Sequence, residues 1–147
     1  MRSTKIIFLR NKGKKNLNMS SESSEYVRYE QVYSYDKMAN DYARIVKEHP
    51  DKIPIVVNLP VSVQPEPVKP GKPRSRNYIV DPKESLQVLM RRLRDTLKIK
   101  ETEAVFLMWG ACMEPMAKTV GDIYSERKHP TGILIADLCI EQAFGAF

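Results

Sequence analysis

The sequence predicts an α+β domain in which one helix lies across a mixed sheet and two further helices cover the opposite face. Three observations carry this. Leu86, Leu89, Met90, Leu93 and Leu97 recur at spacings of three and four, one apolar stripe on a helix over 85–97. That helix stands between two β-like runs, 77–80 and 104–109. The second run is apolar on both alternating faces, Val105, Leu107 and Trp109 on one and Phe106 and Met108 on the other. Such a strand needs cover on both sides, and a single helix supplies one.

Residues 1–25, basic and then serine-rich, have no apolar period and read as a disordered arm. Tyr26, Tyr29, Val32 and Tyr33 are spaced for a short helical turn. From Asp36 onward Met38, Tyr42, Ile45, Val46 and His49 fall at i, i+4, i+7, i+8 and i+11, an amphipathic helix that Pro50-Asp51 ends. This helix pair is the expected cover for the second sheet face. Residues 53–57 are apolar at every position and read as a strand buried on both faces, with Pro54 tolerable at its start. Pro60, Pro65, Pro67, Pro70 and Pro73 make 60–76 a stiff, polyproline-like surface loop. Ser85 is the expected N-cap of the central helix, and Asp81 and Glu84 put negative charge near its positive end. After it come an irregular connection, a short capped helix with Val120, Ile123 and Tyr124 inward, a turn at 129–132 and a last strand over 133–139. Without the two leading helices the order is ββαββ, the β-grasp, ubiquitin-like plan. The domain is expected over 26–140, with a flexible tail over 141–147.

The length suits one domain with tails. A net charge of +6 favours acidic partners, but six Lys/Arg fall in 1–21 and four more in 69–76. Both stretches read as solvated loop or arm, so no nucleic-acid groove is expected. Cys112 and Cys139 lack a CxxC or a histidine partner, which argues against zinc and disulfides and fits the reducing cytoplasm. They are expected as buried thiols. The longest apolar run near the N-terminus, 6–9, is too short for a signal-peptide core. Catalysis needs converging polar groups. With two histidines, no phosphate loop, no GxSxG and no spaced carboxylate pair, the chain reads as bound or acted upon, with no catalytic residue, metal or cofactor. His49 is expected at a helix end and Trp109 in the core.

The stretch 33–57 (YSYDKMANDYARIVKEHPDKIPIVV) resembles the opening of the autophagy ubiquitin-like modifiers, the GABARAP and light-chain family. NYIV resembles that family's Lys-Tyr-Leu-Val strand, RRLRDTLKIKETEAVFL its helix and third strand, VGDIYSER its short helix, and Phe144-Gly145 its C-terminal Phe-Gly. The likeness spans 33–145 and needs only a longer proline-rich loop. It implies that a cysteine protease cuts between Gly145 and Ala146, with Phe144 beside the cut. Activating-like and conjugating-like enzymes would then join Gly145 to phosphatidylethanolamine on autophagosome membranes. It also implies two pockets for aromatic-x-x-aliphatic motifs of cargo receptors, whose backbone adds to the second strand. The aromatic pocket maps to Asp41, Ile45, Pro54, Val56, Ile79 and Ile133, with Lys52 near the peptide's acidic flank. The aliphatic pocket maps to Tyr78, Val80 and Leu89. The chain departs from the family pattern at four positions: Asn77 stands for a lysine, Asp81 for a proline, Glu84 for a leucine and Arg92 for an apolar residue. These departures put the second pocket and the choice of partner in question.

Two other readings stand beside this one. The sister branch of modifiers is attached to a protein lysine, and the long N-terminal arm and the run 139–145 resemble it. A non-conjugated ubiquitin-like adaptor would keep its function when everything after Ala143 is deleted.

Overall fold

The structure, a computed structural model, describes residues 27–63 and 69–142. The expected arm, the middle of the proline-rich loop and Phe144, Gly145 and Ala146 lie outside these residues. The chain forms α1 (Tyr29–Val32), α2 (Tyr35–Glu48), β1 (Ile53–Asn58), β2 (Ser75–Val80), α3 (Leu86–Leu97), β3 (Glu103–Met108), α4 (Val120–Arg127) and β4 (Leu134–Gln142). The strands lie in the order β2-β1-β4-β3. β1 and β4 run parallel at the centre, with Ile55 opposite Leu134, and the outer pairs are antiparallel. This is the expected β-grasp with two leading helices.

All six residues of β1 are buried, because it packs between two layers. Ile53, Ile55 and Val57 join Leu134, Ala136 and Leu138 of β4 and Leu86, Leu89, Met90 and Leu93 of α3 in the main core. On the other face Val56 and Ile133 meet Tyr29 of α1 and Met38 of α2, with Tyr33, Tyr42 and Ile135 around them. The leading helices thus cover β1 and the start of β4. On β3, at the far edge, Phe106 and Met108 are only half-buried, so the double cover expected there is partial.

The helix starts cap each other. Ser85 Oγ accepts from the Val88 amide, as its sequence position predicts. The Leu86 and Gln87 amides donate to the Lys118 and Met116 carbonyls, and those of Val120 and Gly121 donate to Glu84 and Pro82. First-turn amides have no partner within their own helix, so this exchange fixes α3 against α4. His49 is the C-cap residue of α2, its amide donating to the Ile45 carbonyl at 2.7 Å. Asp81, expected to serve the α3 dipole, instead accepts from the Lys83 amide at 2.8 Å and pairs with Lys52 at 3.7 Å.

Several boundaries and burials differ from expectation. β2 begins at Ser75, inside the expected loop, and β4 runs on to Gln142, into the expected tail. Antiparallel pairing with the whole of β3, up to Glu103 opposite Gln142, carries β4 that far. Arg74, expected in solvent, is fully buried: its amide donates to the Val27 carbonyl and its carbonyl accepts from Leu59. The chain before α1 therefore lies over the start of β2. Both cysteines are exposed, not buried. Cys139 alternates onto the β4 face beyond the leading helices, and Cys112 closes the hairpin turn with Trp109. Trp109 itself is core, as expected.

A polar latch holds α1 on the sheet. Asn58, buried at the end of β1, accepts from the Tyr29 amide at 2.8 Å and donates to Glu30 at 3.2 Å and Asp137 at 3.1 Å. Arg28 reaches both carboxylates, at 2.5 Å and 2.7 Å. Burial works against the Arg28 charge, but Asp137 and Glu30 outweigh it and hold the guanidinium more firmly protonated than usual.

A second ion cluster ties the 110–118 connection to α4: the Glu114 carboxylate takes Arg127 Nε and Lys118 Nζ, and Lys118 also reaches Glu126. The Arg127 hydrogen bond, then that of Lys118, holds the Glu114 carboxyl below its usual range. A depressed carboxylate stabilises the fold above its unfolded pKa of about 4.3, and that contribution disappears as pH falls through the lower folded value. Thermal melts of wild type and Glu114→Gln should therefore differ most near neutrality and converge below about pH 4. A constant gap across that range would overturn this assignment.

Candidate functional site

A groove opens where α2 passes β2. Its floor is the outer face of β1, Pro54 and Val56, and its far wall is Asn77 and Ile79 of β2. Register explains the meeting: Pro54 lies opposite Ile79 and Val56 opposite Asn77, so all four point toward the leading helices. α2 contributes Lys37, Asp41, Arg44, Ile45 and Glu48, and Ile133 closes the base. The cavity measures about 430 Å³. Ile79 is 40% exposed there, an isoleucine on an edge strand that β1 pairs on one side only.

The electrostatics are mixed and local. Asp41 is bracketed by Lys37 at 2.8 Å and Arg44 at 3.6 Å, and the Lys37 ammonium stands 5.3 Å from the centre of the Tyr33 ring. Burial, then the charge of Asp41, pushes the Tyr29 phenol up to about 12, so it stays neutral at physiological pH. The site is a cleft with an apolar floor, and Asp41 and Glu48 bring two acceptor carboxylates to its α2 side. Its apolar floor can take a flat apolar or aromatic side chain, and its polar wall can take a hydrogen-bonding edge.

All six residues mapped to the aromatic pocket, Asp41, Ile45, Pro54, Val56, Ile79 and Ile133, line this one cavity. Lys52 does not. It lines a neighbouring cavity of about 640 Å³ with Ile53, Asp81, Lys83, Gly121 and Tyr124. Of the residues mapped to the aliphatic pocket, Tyr78 is half-buried, while Val80 and Leu89 are 0% exposed in the main core. Both belong to the main core between sheet and α3, with Tyr78 packed against it and also lining the groove. Tyr29, Tyr33, Lys37, Arg44 and Glu48 line the groove without having been expected. A signal for three of them was present: Lys37, Asp41, Arg44 and Glu48 fall at i, i+4, i+7 and i+11, a polar stripe beside the apolar one.

The sequence pattern of the family described as "Autophagy protein Atg8 ubiquitin like" matches residues 37–145. The chain belongs to the Atg8 family. Among curated Atg8 proteins, Autophagy-related protein 8d of Arabidopsis thaliana is 24% identical over 119 residues, 81% of this chain and 95% of that protein. Autophagy-related protein 8 of Schizosaccharomyces pombe is 22% identical over 118 residues, 80% of this chain and 93% of its own length. A crystal structure of Trypanosoma brucei ATG8 superposes with a TM-score of 0.65 at 20% identity, covering 80% of this chain and 97% of that one. The likeness in fold therefore outlasts most of the sequence identity. This Atg8-family chain is an autophagy ubiquitin-like protein. Among the described residues no helix is long and apolar enough to cross a membrane, and no group of three His, Cys, Asp or Glu is placed to hold a metal ion.

Proposed function

We propose that this chain is a modifier and not a catalyst: a ubiquitin-like protein joined through Gly145 to phosphatidylethanolamine and displayed on autophagosome membranes. Once there, it recruits proteins that carry an exposed aromatic residue in an extended segment. The observation that carries the recruiting role is the groove beside an open sheet edge, with Ile79 projecting into it. Added-strand pairing supplies affinity along β2, and the cavity supplies selectivity for the aromatic side chain. Family membership supports the conjugating role. A cysteine protease, an activating-like enzyme and a conjugating-like enzyme act on the tail in turn, and the protein itself cycles between cytoplasm and membrane.

The test is peptide binding. Ile79→Asp and Ile45→Arg each put an uncompensated charge in the cleft, which should weaken a tryptophan-containing extended peptide by at least about tenfold. Circular dichroism checks that each variant is folded. Unchanged affinity in a folded variant would overturn the groove assignment.

A further inference from the structure

The strand geometry that brings an aromatic side chain to the groove also decides where a side chain three places along must go. On β2, Asn77 and Ile79 face the leading helices, while Tyr78 and Val80 pack against the main core under α3. A peptide added to that edge alternates in the same way, so positions i and i+3 meet opposite faces of the sheet. If the aromatic residue enters the cleft, the i+3 side chain arrives at the seam between β2 and α3.

That seam is closed by polar groups. The Tyr78 hydroxyl lies 2.8 Å from Thr96 Oγ1. One turn back along α3, Arg92 Nη2 donates to both oxygens of Glu84, at 3.3 Å and 3.1 Å. Beneath them Val80 and Leu89 are fully enclosed. An aliphatic side chain could reach those two residues only by parting Glu84 from Arg92 and covering both charges, which costs more than one small apolar contact returns. An acidic side chain leaves that pair in place, and its repulsion from the Glu84 carboxylate is offset by the guanidinium lying between them. Glu84 engages only Nη2, so Nε and Nη1 remain as donors on a guanidinium that is 35% exposed, and a second carboxylate fits that fork. Lys83 and Arg91, both exposed, add positive charge nearby.

We propose that Arg92 determines specificity at the second position of the bound segment, so that this chain selects aromatic-x-x-Asp/Glu sequences over aromatic-x-x-aliphatic ones. This rests on the groove binding an extended aromatic peptide, as proposed above. The probe is a set of fluorescein-labelled twelve-residue peptides sharing one Trp-x-x-Z frame, with Z as Glu, Leu or Ala, plus a Trp→Ala control. With wild-type protein the Glu peptide should bind about threefold more tightly than the Leu peptide, the scale of a partly exposed charge pair. Arg92→Leu should invert that preference. Glu84→Gln, which frees the guanidinium, should widen it. Thermal melts establish that both variants are folded. If Leu peptides bind as tightly as Glu peptides, or Arg92→Leu leaves the ratio unchanged, while Trp→Ala still abolishes binding, this inference alone is overturned. If no Trp peptide binds, or Trp→Ala makes no difference, the groove reading is overturned and this inference with it.

Discussion

Gly145→Ala is expected to abolish conjugation completely while leaving the melting transition of the domain unchanged. In the proposed conjugation the acyl carbon that becomes a thioester and then an amide is that of Gly145, and the chain would have to lie extended in a narrow catalytic cleft. A Cβ there crowds the carbonyl and removes backbone freedom that only glycine has. Fold stability should not change, because the two cores are built from residues between Tyr29 and Ile140. In a reconstituted reaction, wild type should yield a faster-migrating species that reverts with phospholipase D, and Gly145→Ala should yield none. A variant that still forms the conjugate would sink the assignment of Gly145. A conjugate heavier by one protein and resistant to phospholipase D would instead favour attachment to a protein lysine.

Gly132→Ala is expected to be the most destabilising single methyl addition in the described domain. Gly132 has φ +102°, where an L side chain is strained, and an added Cβ would lie 2.7 Å from carbons of the Tyr42 ring. Tyr42 cannot simply step aside. The Tyr124 hydroxyl donates to the Gly132 carbonyl at 2.7 Å and lies 3.2 Å from the Tyr42 hydroxyl, so ring, turn and α4 form one joint. Backbone strain and overpacking together should cost about 2–4 kcal/mol in chemical denaturation. Tyr42→Ala in the same chain removes the ring, so the double variant should lose less than the two single losses added together. Strict additivity would show that the clash contributes nothing. Because Tyr42 belongs to α2, Gly132→Ala should also weaken aromatic peptides, although Gly132 does not line the groove.

The elements were legible in the sequence where one physical cause dominates. The 85–97 stripe, the Ser85 cap and the all-apolar 53–57 run each follow from local periodicity, and each stands where expected. The meeting of Asp41, Ile45, Pro54, Val56, Ile79 and Ile133 in one cavity was legible only through family likeness, because they are far apart in the chain and meet through register. What could not be read depends on partners remote in sequence. Arg74 looks like a loop cation until the backbone of Val27 is laid over it. Asn58 looks like a strand end, yet it holds Tyr29, Glu30 and Asp137 together. Cys139 lies in an apolar run, and its exposure follows from how far the leading helices extend over β4. Glu84 and Arg92 stood out in the sequence as two departures from the expected pattern, but their mutual pairing did not.

The central placement of β4 has a mechanical meaning. The tail continues directly from this strand, which pairs with β1 over Leu134–Asp137 and with β3 over Asp137–Gln142. Inter-strand hydrogen bonds run across the strand axis, so a pull transmitted along the tail loads many of them at once in shear. An edge strand pulled outward would instead release them singly, like a zipper. If the tail is joined to a membrane as proposed, tension on it strains the fold along its most resistant direction. Traction between a crowded membrane and a bulky partner should leave the groove intact.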